Sequence, residues 1–150
     1  MAAYVKYFQF VEDLTQKVHD LFGTAGATAD TCKIMLSNTA GDVAQTLATR
    51  SQVTEIANGN GYTTGGQSVA NAGTRASGVV TVQGTQVVWT SSGAGMAQFR
   101  YVILYNDTPT SPADPLISSW DYGSGLTLAV DETFTVKFNN ASPGDIFTLA

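Results

Sequence analysis

The chain has one cysteine and one histidine, and both counts restrict its chemistry. With Cys32 alone, no disulfide can form within the chain, and its apolar surroundings predict a buried side chain. With His19 alone, a metal site of several histidines is excluded, and any Ser-His-Asp triad would depend on that one imidazole. Beside Asp20 in a helical pattern, His19 fits a surface or helix-end position better than a catalytic one.

Charge is also scarce, because Asp, Glu, Lys and Arg make up only 13% of the residues, about half the usual share. The net charge is −5, and the seven Lys and Arg residues are scattered without forming a basic stripe, so no nucleic-acid partner is expected. No apolar run approaches the roughly 18–20 residues of a membrane span, so no membrane association is expected. The first ten residues lack the basic-then-apolar order of a signal peptide.

The common catalytic motifs are missing from the sequence, including His-Glu-x-x-His, Cys-x-x-Cys and Gly-x-Ser-x-Gly. The glycine-rich stretch 58–66 has no lysine to reach a phosphate, so it predicts a turn-rich connection. Asp107 and Asp121 each follow a predicted strand and form the one carboxylate pair that suggests sugar hydrolysis. Both carboxylates are better explained as turn caps, which accept hydrogen bonds from nearby backbone N–H groups. We predict that the protein is not an enzyme and has no catalytic, cofactor-binding or metal-binding residues.

The first third of the chain predicts short helices and one strand. Apolar residues recur at helical spacings of three and four in residues 4–22, although the aromatic start also fits a strand that leads into a helix. Residues 31–37 predict a buried strand, and residues 50–57 predict a short helix.

From residue 67 onward the sequence predicts strand after strand. Residues 100–105 are apolar almost throughout and predict a central strand, and the alternation in residues 133–138 predicts a strand with one face in the core. The predicted strands are 67–72, 76–83, 86–91, 97–106, 116–121, 126–130, 133–138 and 145–149, with Gly84-Thr85 as a hairpin turn between two of them. The fold class is therefore mainly β, an antiparallel β-sandwich or jelly-roll-like domain with a short helical N-terminal segment. We expect a single domain over 1–150, looser in 1–66 and strand-rich in 67–150.

Several large aromatic residues are candidates for contacts. The first ten residues contain four large aromatic side chains, which is many for a chain terminus. They are interface candidates, with completion of the protein's own core as the equal alternative, and they are Tyr4, Tyr7, Phe8 and Phe10. Trp89, Trp120 and Tyr122 could stack on a sugar ring, but aromatic residues on strands usually belong to the core. For Trp120 we predict substantial burial against the sheet.

Six segments together resemble a group of small tailed-phage virion proteins. They occur in order between residues 36 and 138, and they are residues 36–39, 54–57, 61–63, 99–108, 115–124 and 132–138. Relatives of this group usually have a shorter join where residues 109–114 stand here.

The resemblance implies a structural protein of the phage virion, assembled in the host cytoplasm. The first expectation is a capsid decoration (cement) protein that binds the major capsid protein and stabilises capsomer contacts. Low charge, small size and missing catalytic motifs favour this role and a tail role over an enzyme, and the lack of a coiled-coil heptad or collagen-like repeat argues against a fibre shaft. Such a protein is expected to be a homotrimer if it occupies a threefold position. The alternatives are a tail or fibre component that binds a receptor or glycan, and a glycan-cleaving enzyme that uses Asp107 and Asp121.

Overall fold

The computed structural model describes residues 4–23 and 29–150, and in these ranges antiparallel strands dominate. One helix, α1 (Phe8–Thr15), follows the first strand. The strands are β1 (Tyr4–Lys6), β2 (Cys32–Ser37), β3 (Gln67–Val69), β4 (Asn71–Ala76), β5 (Val79–Gly84), β6 (Val87–Thr90), β7 (Phe99–Asn106), β8 (Leu116–Leu126), β9 (Thr133–Val136) and β10 (Gly144–Leu149). The predicted mainly β, sandwich-like fold with a short N-terminal helix is confirmed.

The largest sheet has five strands in the order β1-β8-β7-β2-β3, all antiparallel. Its middle strand, β7, is apolar almost throughout and is buried on both faces, as predicted for a central strand. Cys32 begins β2 opposite Asn106 and is 1% exposed, which confirms its predicted burial. Residues 1–66, predicted to be the looser region, thus supply β1 and β2 to this sheet.

Two smaller sheets, β10-β5-β4 and β6-β9, cover one face of the large sheet. In the shared core, Ile34 and Leu104 of the large sheet belong to one apolar cluster with Val82 of β5 and Trp89 of β6. The alternation of β9 explains its place, since Phe134 and Val136 pack against the core while the threonines that alternate with them are exposed.

The other face of the large sheet is covered by the connection between β2 and β3. Leu47 and Val53 of this connection pack on a second buried cluster, which consists of Tyr7, Met35, Ile103, Tyr105 and Leu116. Because side chains alternate along a strand, neighbours such as Met35 and Ile34 enter different cores.

Residues 4–22 begin with the strand β1 followed by α1, as the alternative of a strand that leads into a helix predicted, and α1 ends at Thr15. Two other predicted elements differ from the structure. The predicted helix 50–57 is only a 3₁₀ turn, Arg50–Gln52. The predicted strand 126–130 is wrong, because β8 continues to Leu126 and a loop follows.

The predicted hairpin at Gly84-Thr85 is also wrong. The strands on its two sides lie in different sheets, since β5 pairs with β4 and β10 whereas β6 pairs with β9. Gly84 instead meets a packing demand, because a Cβ there would lie 2.7 Å from Val69 Cγ1 and 2.8 Å from Phe138 Cε2. The actual tight hairpin joins β4 to β5 through Ser77 and Gly78, both with positive φ.

Candidate functional site

The four N-terminal interface candidates separate into two pairs. Tyr7 and Phe10 are 1% and 3% exposed, so they complete the protein's own core and are corrected from surface candidates to core residues. Tyr4 and Phe8 remain accessible, at 36% and 58%. The division follows from the local structure, because Tyr7 lies between β1 and α1 and its hydroxyl donates to the Asp42 carbonyl at 2.6 Å.

A groove opens where the consecutive strands β9 and β10 diverge. A tight turn with a bridge between Phe138 and Ala141 joins the two strands, yet β9 pairs with β6 and β10 pairs with β5. We call this site the aromatic groove and define it by six side chains, Tyr4, Trp120, Tyr122, Phe134, Phe138 and Phe147. Its volume is about 500 Å³, within the range of small-ligand sites.

The aromatic side chains of the groove support one another edge to face. The Trp120 ring lies 5.7 Å from the Tyr4 ring and 5.9 Å from the Phe138 ring, measured between centroids. Tyr122 meets Phe134 at 6.4 Å with the rings almost perpendicular. Trp120 packs against the main core cluster and is partly buried, in line with its predicted burial against the sheet, and it also lines this open groove.

Tyr122 is 56% exposed because β8 is irregular at this point. Asp121 pairs with Tyr101, but the next partner of β7 on this side is Leu126, opposite Phe99. Several residues of β8, including Gly123 with φ of 99°, therefore bulge out of the ladder. From this bulge Tyr122 lines the groove, where its ring meets that of Phe134.

Polar groups accompany the aromatic rings. Lys137, Asn139 and Asp145 line the groove together with two threonines. Asp145 accepts a hydrogen bond from the Gln83 amide at 2.8 Å, which orients its carboxylate. One ammonium and one carboxylate leave the groove close to neutral, with several hydrogen-bonding groups around apolar rings.

The two carboxylates considered as a hydrolytic pair are far apart. Asp121 lies opposite Tyr101, whereas Asp107 follows the far end of β7, about 20 Å away at roughly 3.4 Å per strand residue. Glycosidase carboxylates lie roughly 5–10 Å apart. Asp121 accepts two hydrogen bonds from Arg100 and one from the Gly123 N–H, and these lower its pKa to about 2. Turn capping by Asp121 is therefore confirmed, while Asp107 pairs with Lys33 at 2.7 Å.

His19 lies in a buried polar cluster instead of at the surface. Its Nδ1 is 3.0 Å from the Asn106 amide nitrogen, and its Nε2 is 3.8 Å from the Asp13 carboxylate. Asn106 also donates to Asp30 at 2.7 Å, so it joins the segment before β2 to the end of β7. Burial lowers the pKa of His19, which favours the neutral imidazole that accepts from Asn106.

The Cys32 thiol and the Glu55 carboxylate are two further groups with potential reactivity, and both are held inside the fold. Burial raises the pKa of the Cys32 thiol to about 12, which suppresses the thiolate that a nucleophile needs. Glu55 accepts from the Tyr62 hydroxyl, the Gly65 N–H and Arg50, so its carboxylate ties the β2–β3 connection together. Arg50 also lies over the Tyr105 ring, 5.4 Å from its centroid.

Within residues 4–23 and 29–150, no cluster of three or more His, Cys, Asp or Glu side chains could hold a metal ion. The described helix is also too short to cross a membrane. Comparison with protein-family models, curated proteins and solved structures found no match for this chain.

The sequence alone indicates part of the groove. Of the aromatic residues predicted to be able to stack on a sugar, Trp120 and Tyr122 both line it. Trp89, the third of them, is fully buried in the core. The sequence does not indicate Phe134, Phe138 and Phe147, because strand alternation predicts core positions for them and carries no sign that β9 and β10 diverge.

Proposed function

We propose that this chain is a structural, non-enzymatic protein of a tailed-phage virion. Its role is that of a capsid decoration protein, which binds the major capsid protein and stabilises capsomer contacts. The segment-by-segment resemblance to small virion proteins motivates the proposal. The low charge and the wide separation of Asp107 and Asp121 support binding over glycan cleavage.

The observation that carries the proposal is the accessible apolar side of the N-terminal segment. Phe8 and Val11 are 58% and 43% exposed and lie three residues apart on α1, hence on the same side of the helix. The helix itself is held firmly, because Phe10 on its other side packs against Phe147 at 5.3 Å between centroids. A rigid helix that presents apolar side chains outward suits a contact with another protein.

Oligomerisation belongs to the same proposal. A decoration protein at a capsid threefold position would assemble as a homotrimer, because symmetric closed rings are the usual form of such assemblies. Sedimentation velocity of the purified protein, alone and with capsids, tests this point. A monomer both in solution and on the particle would contradict the trimer.

The binding role is tested with particles that lack this protein. Adding back the purified chain should restore resistance of the capsids to heat and to chelator, measured as release of packaged DNA. The double variant Phe8→Ser/Val11→Ser should bind capsids at least about tenfold more weakly, since it loses two apolar contacts with the capsid. Tyr122→Ala, equally exposed but in the aromatic groove, is the matched control and should bind normally. Unchanged binding of the double variant would place the capsid contact elsewhere.

The second candidate function is a tail or fibre component that binds a receptor. The aromatic groove favours it, because exposed aromatic rings beside polar groups are a recognition surface. Localisation of the chain in virions by cryo-electron microscopy distinguishes the two positions. Density for the chain on the tail, with none on the capsid faces, would support the second candidate.

A further inference from the structure

The aromatic groove has the features of a small-ligand site that is separate from the exposed side of α1. It is about 500 Å³ in volume and lies between the large sheet and the two diverging strands. Trp120 and Tyr122 stand two residues apart on β8 and both line it. The ladder with β7 breaks after Asp121, so Trp120 reaches the groove from the paired part of β8 and Tyr122 reaches it from the bulge. The groove therefore offers a ligand two aromatic side chains from the same strand.

The partners of these rings limit what the ligand can be. Tyr4 and Phe138 meet Trp120 at interplanar angles of 68° and 57°, so each braces the indole at an angle without stacking on it. Apolar CH groups of a ligand can pack on aromatic faces held in this way. The groove also provides the polar side chains of Lys137, Asn139 and Asp145. A purely apolar ligand that covered Lys137 and Asn139 would remove these exposed side chains from water without offering them partners.

An extended peptide strand fits this place less well than a compact ligand. β9 has only four residues, and β10 carries a bulge at Ile146 in its ladder with β5. Short and bulged strands offer few consecutive backbone hydrogen bonds and discourage strand addition. Recognition must then come mainly from side chains.

We propose that the aromatic groove binds an uncharged oligosaccharide. Sugar rings offer CH faces to Trp120 and Tyr122 and hydroxyl groups to Asn139, Asp145 and Lys137. Charge agrees with this ligand class, because the groove contains one cationic and one anionic side chain and is close to neutral. The proposal goes beyond a decoration role, since a protein fixed to the capsid through α1 keeps this groove free for a second partner.

Tryptophan fluorescence of the full-length protein can test the proposal. Trp89 is fully buried, so a change in emission or in acrylamide quenching on adding ligand reports on Trp120. The probes are maltotriose, cellotriose and triacetylchitotriose, titrated to about 10 mM to include weak affinities. We expect at least one of them to give a saturable change and to protect Trp120 from acrylamide. No response to any of the three overturns the proposal.

Matched variants separate the groove from other aromatic surfaces. Tyr122→Ala should weaken binding about tenfold, as expected for loss of one ring contact, whereas Phe8→Ala should bind like the wild type. The two side chains are similarly exposed, at 56% and 58%. Equal effects of both variants, or tighter binding of sialyllactose than of the neutral sugars, would refute a neutral-glycan groove. Self-association abolished by Tyr122→Ala would also refute it, by identifying a second copy as the occupant.

The two proposals can fail independently. The variant Phe8→Ser/Val11→Ser tests the decoration role through capsid binding and leaves the side chains of the groove unchanged. The variant Tyr122→Ala tests the groove through sugar binding and leaves the side chains of α1 unchanged.

Discussion

Replacement of Tyr7 tests whether the aromatic N-terminus belongs to the protein's own core. The ring is 1% exposed among Met35, Ile103, Tyr105 and Leu116, and its hydroxyl donates to the Asp42 carbonyl at 2.6 Å. Burial raises the pKa of this phenol to about 12, so the hydroxyl remains a donor at neutral pH. Ring and hydroxyl contribute separately, and two substitutions distinguish them.

Tyr7→Phe removes the hydrogen bond and leaves a carbonyl without its partner, which should cost about 1–2 kcal/mol of unfolding free energy. Tyr7→Ala also removes the ring, and large aromatic deletions in cores cost about 3–5 kcal/mol. The combined loss, about 4–7 kcal/mol, approaches the whole stability of a typical domain, roughly 5–15 kcal/mol. Phe8→Ala, next in sequence but exposed, should change stability by no more than about 0.5 kcal/mol.

Urea unfolding followed by tryptophan fluorescence measures all three variants. An unfolding free energy of Tyr7→Ala within about 1 kcal/mol of the wild type would refute the core assignment. The same reasoning predicts the effect of deleting residues 1–10. That deletion removes Tyr7, Phe10 and the pairing of β1 with β8, so it should unfold the protein instead of leaving a folded domain.

Three further predictions concern His19, Gly66 and Cys32. Burial lowers the pKa of His19 from 6.5, so below that pH the unfolded chain binds a proton that the folded chain does not. The free energy of unfolding should therefore fall as pH decreases from 7 to about 5. His19→Gln should flatten this pH dependence, measured by urea unfolding. The same slope of unfolding free energy against pH in the variant would contradict the role of His19. Gly66→Ala should destabilise strongly, because its Cβ would overlap the Ile34 carbonyl oxygen. The control Gly78→Ala is also at positive φ but in open space, so it should cost only about 1 kcal/mol. Equal shifts of the melting temperature in the two variants would refute the overlap. The Cys32 thiol should be inert to a disulfide reagent in the native protein and react fully in urea, and rapid native reaction would show that β2 opens.

The sequence by itself determined the elements whose signal is local. The alternation of residues 133–138 predicted which side of β9 faces the core, and the apolar run of β7 predicted a central strand. The presence of a single cysteine and a single histidine limited the chemistry by number alone. These conclusions rest on the order of side chains within one strand or on residue counts. Both can be read from the sequence without knowing which strands pair.

Only the tertiary structure decided which strands pair and which aromatic side chains remain accessible. Gly84-Thr85 has the composition of a turn, yet contacts with Val69 and Phe138 from distant segments make Gly84 a packing position. Tyr4 and Tyr7 look alike in sequence, but only Tyr7 meets the Asp42 carbonyl from 35 positions away. The aromatic groove arises from the divergence of β9 and β10, and each strand takes a different partner because long-range packing outweighs their adjacency in the chain.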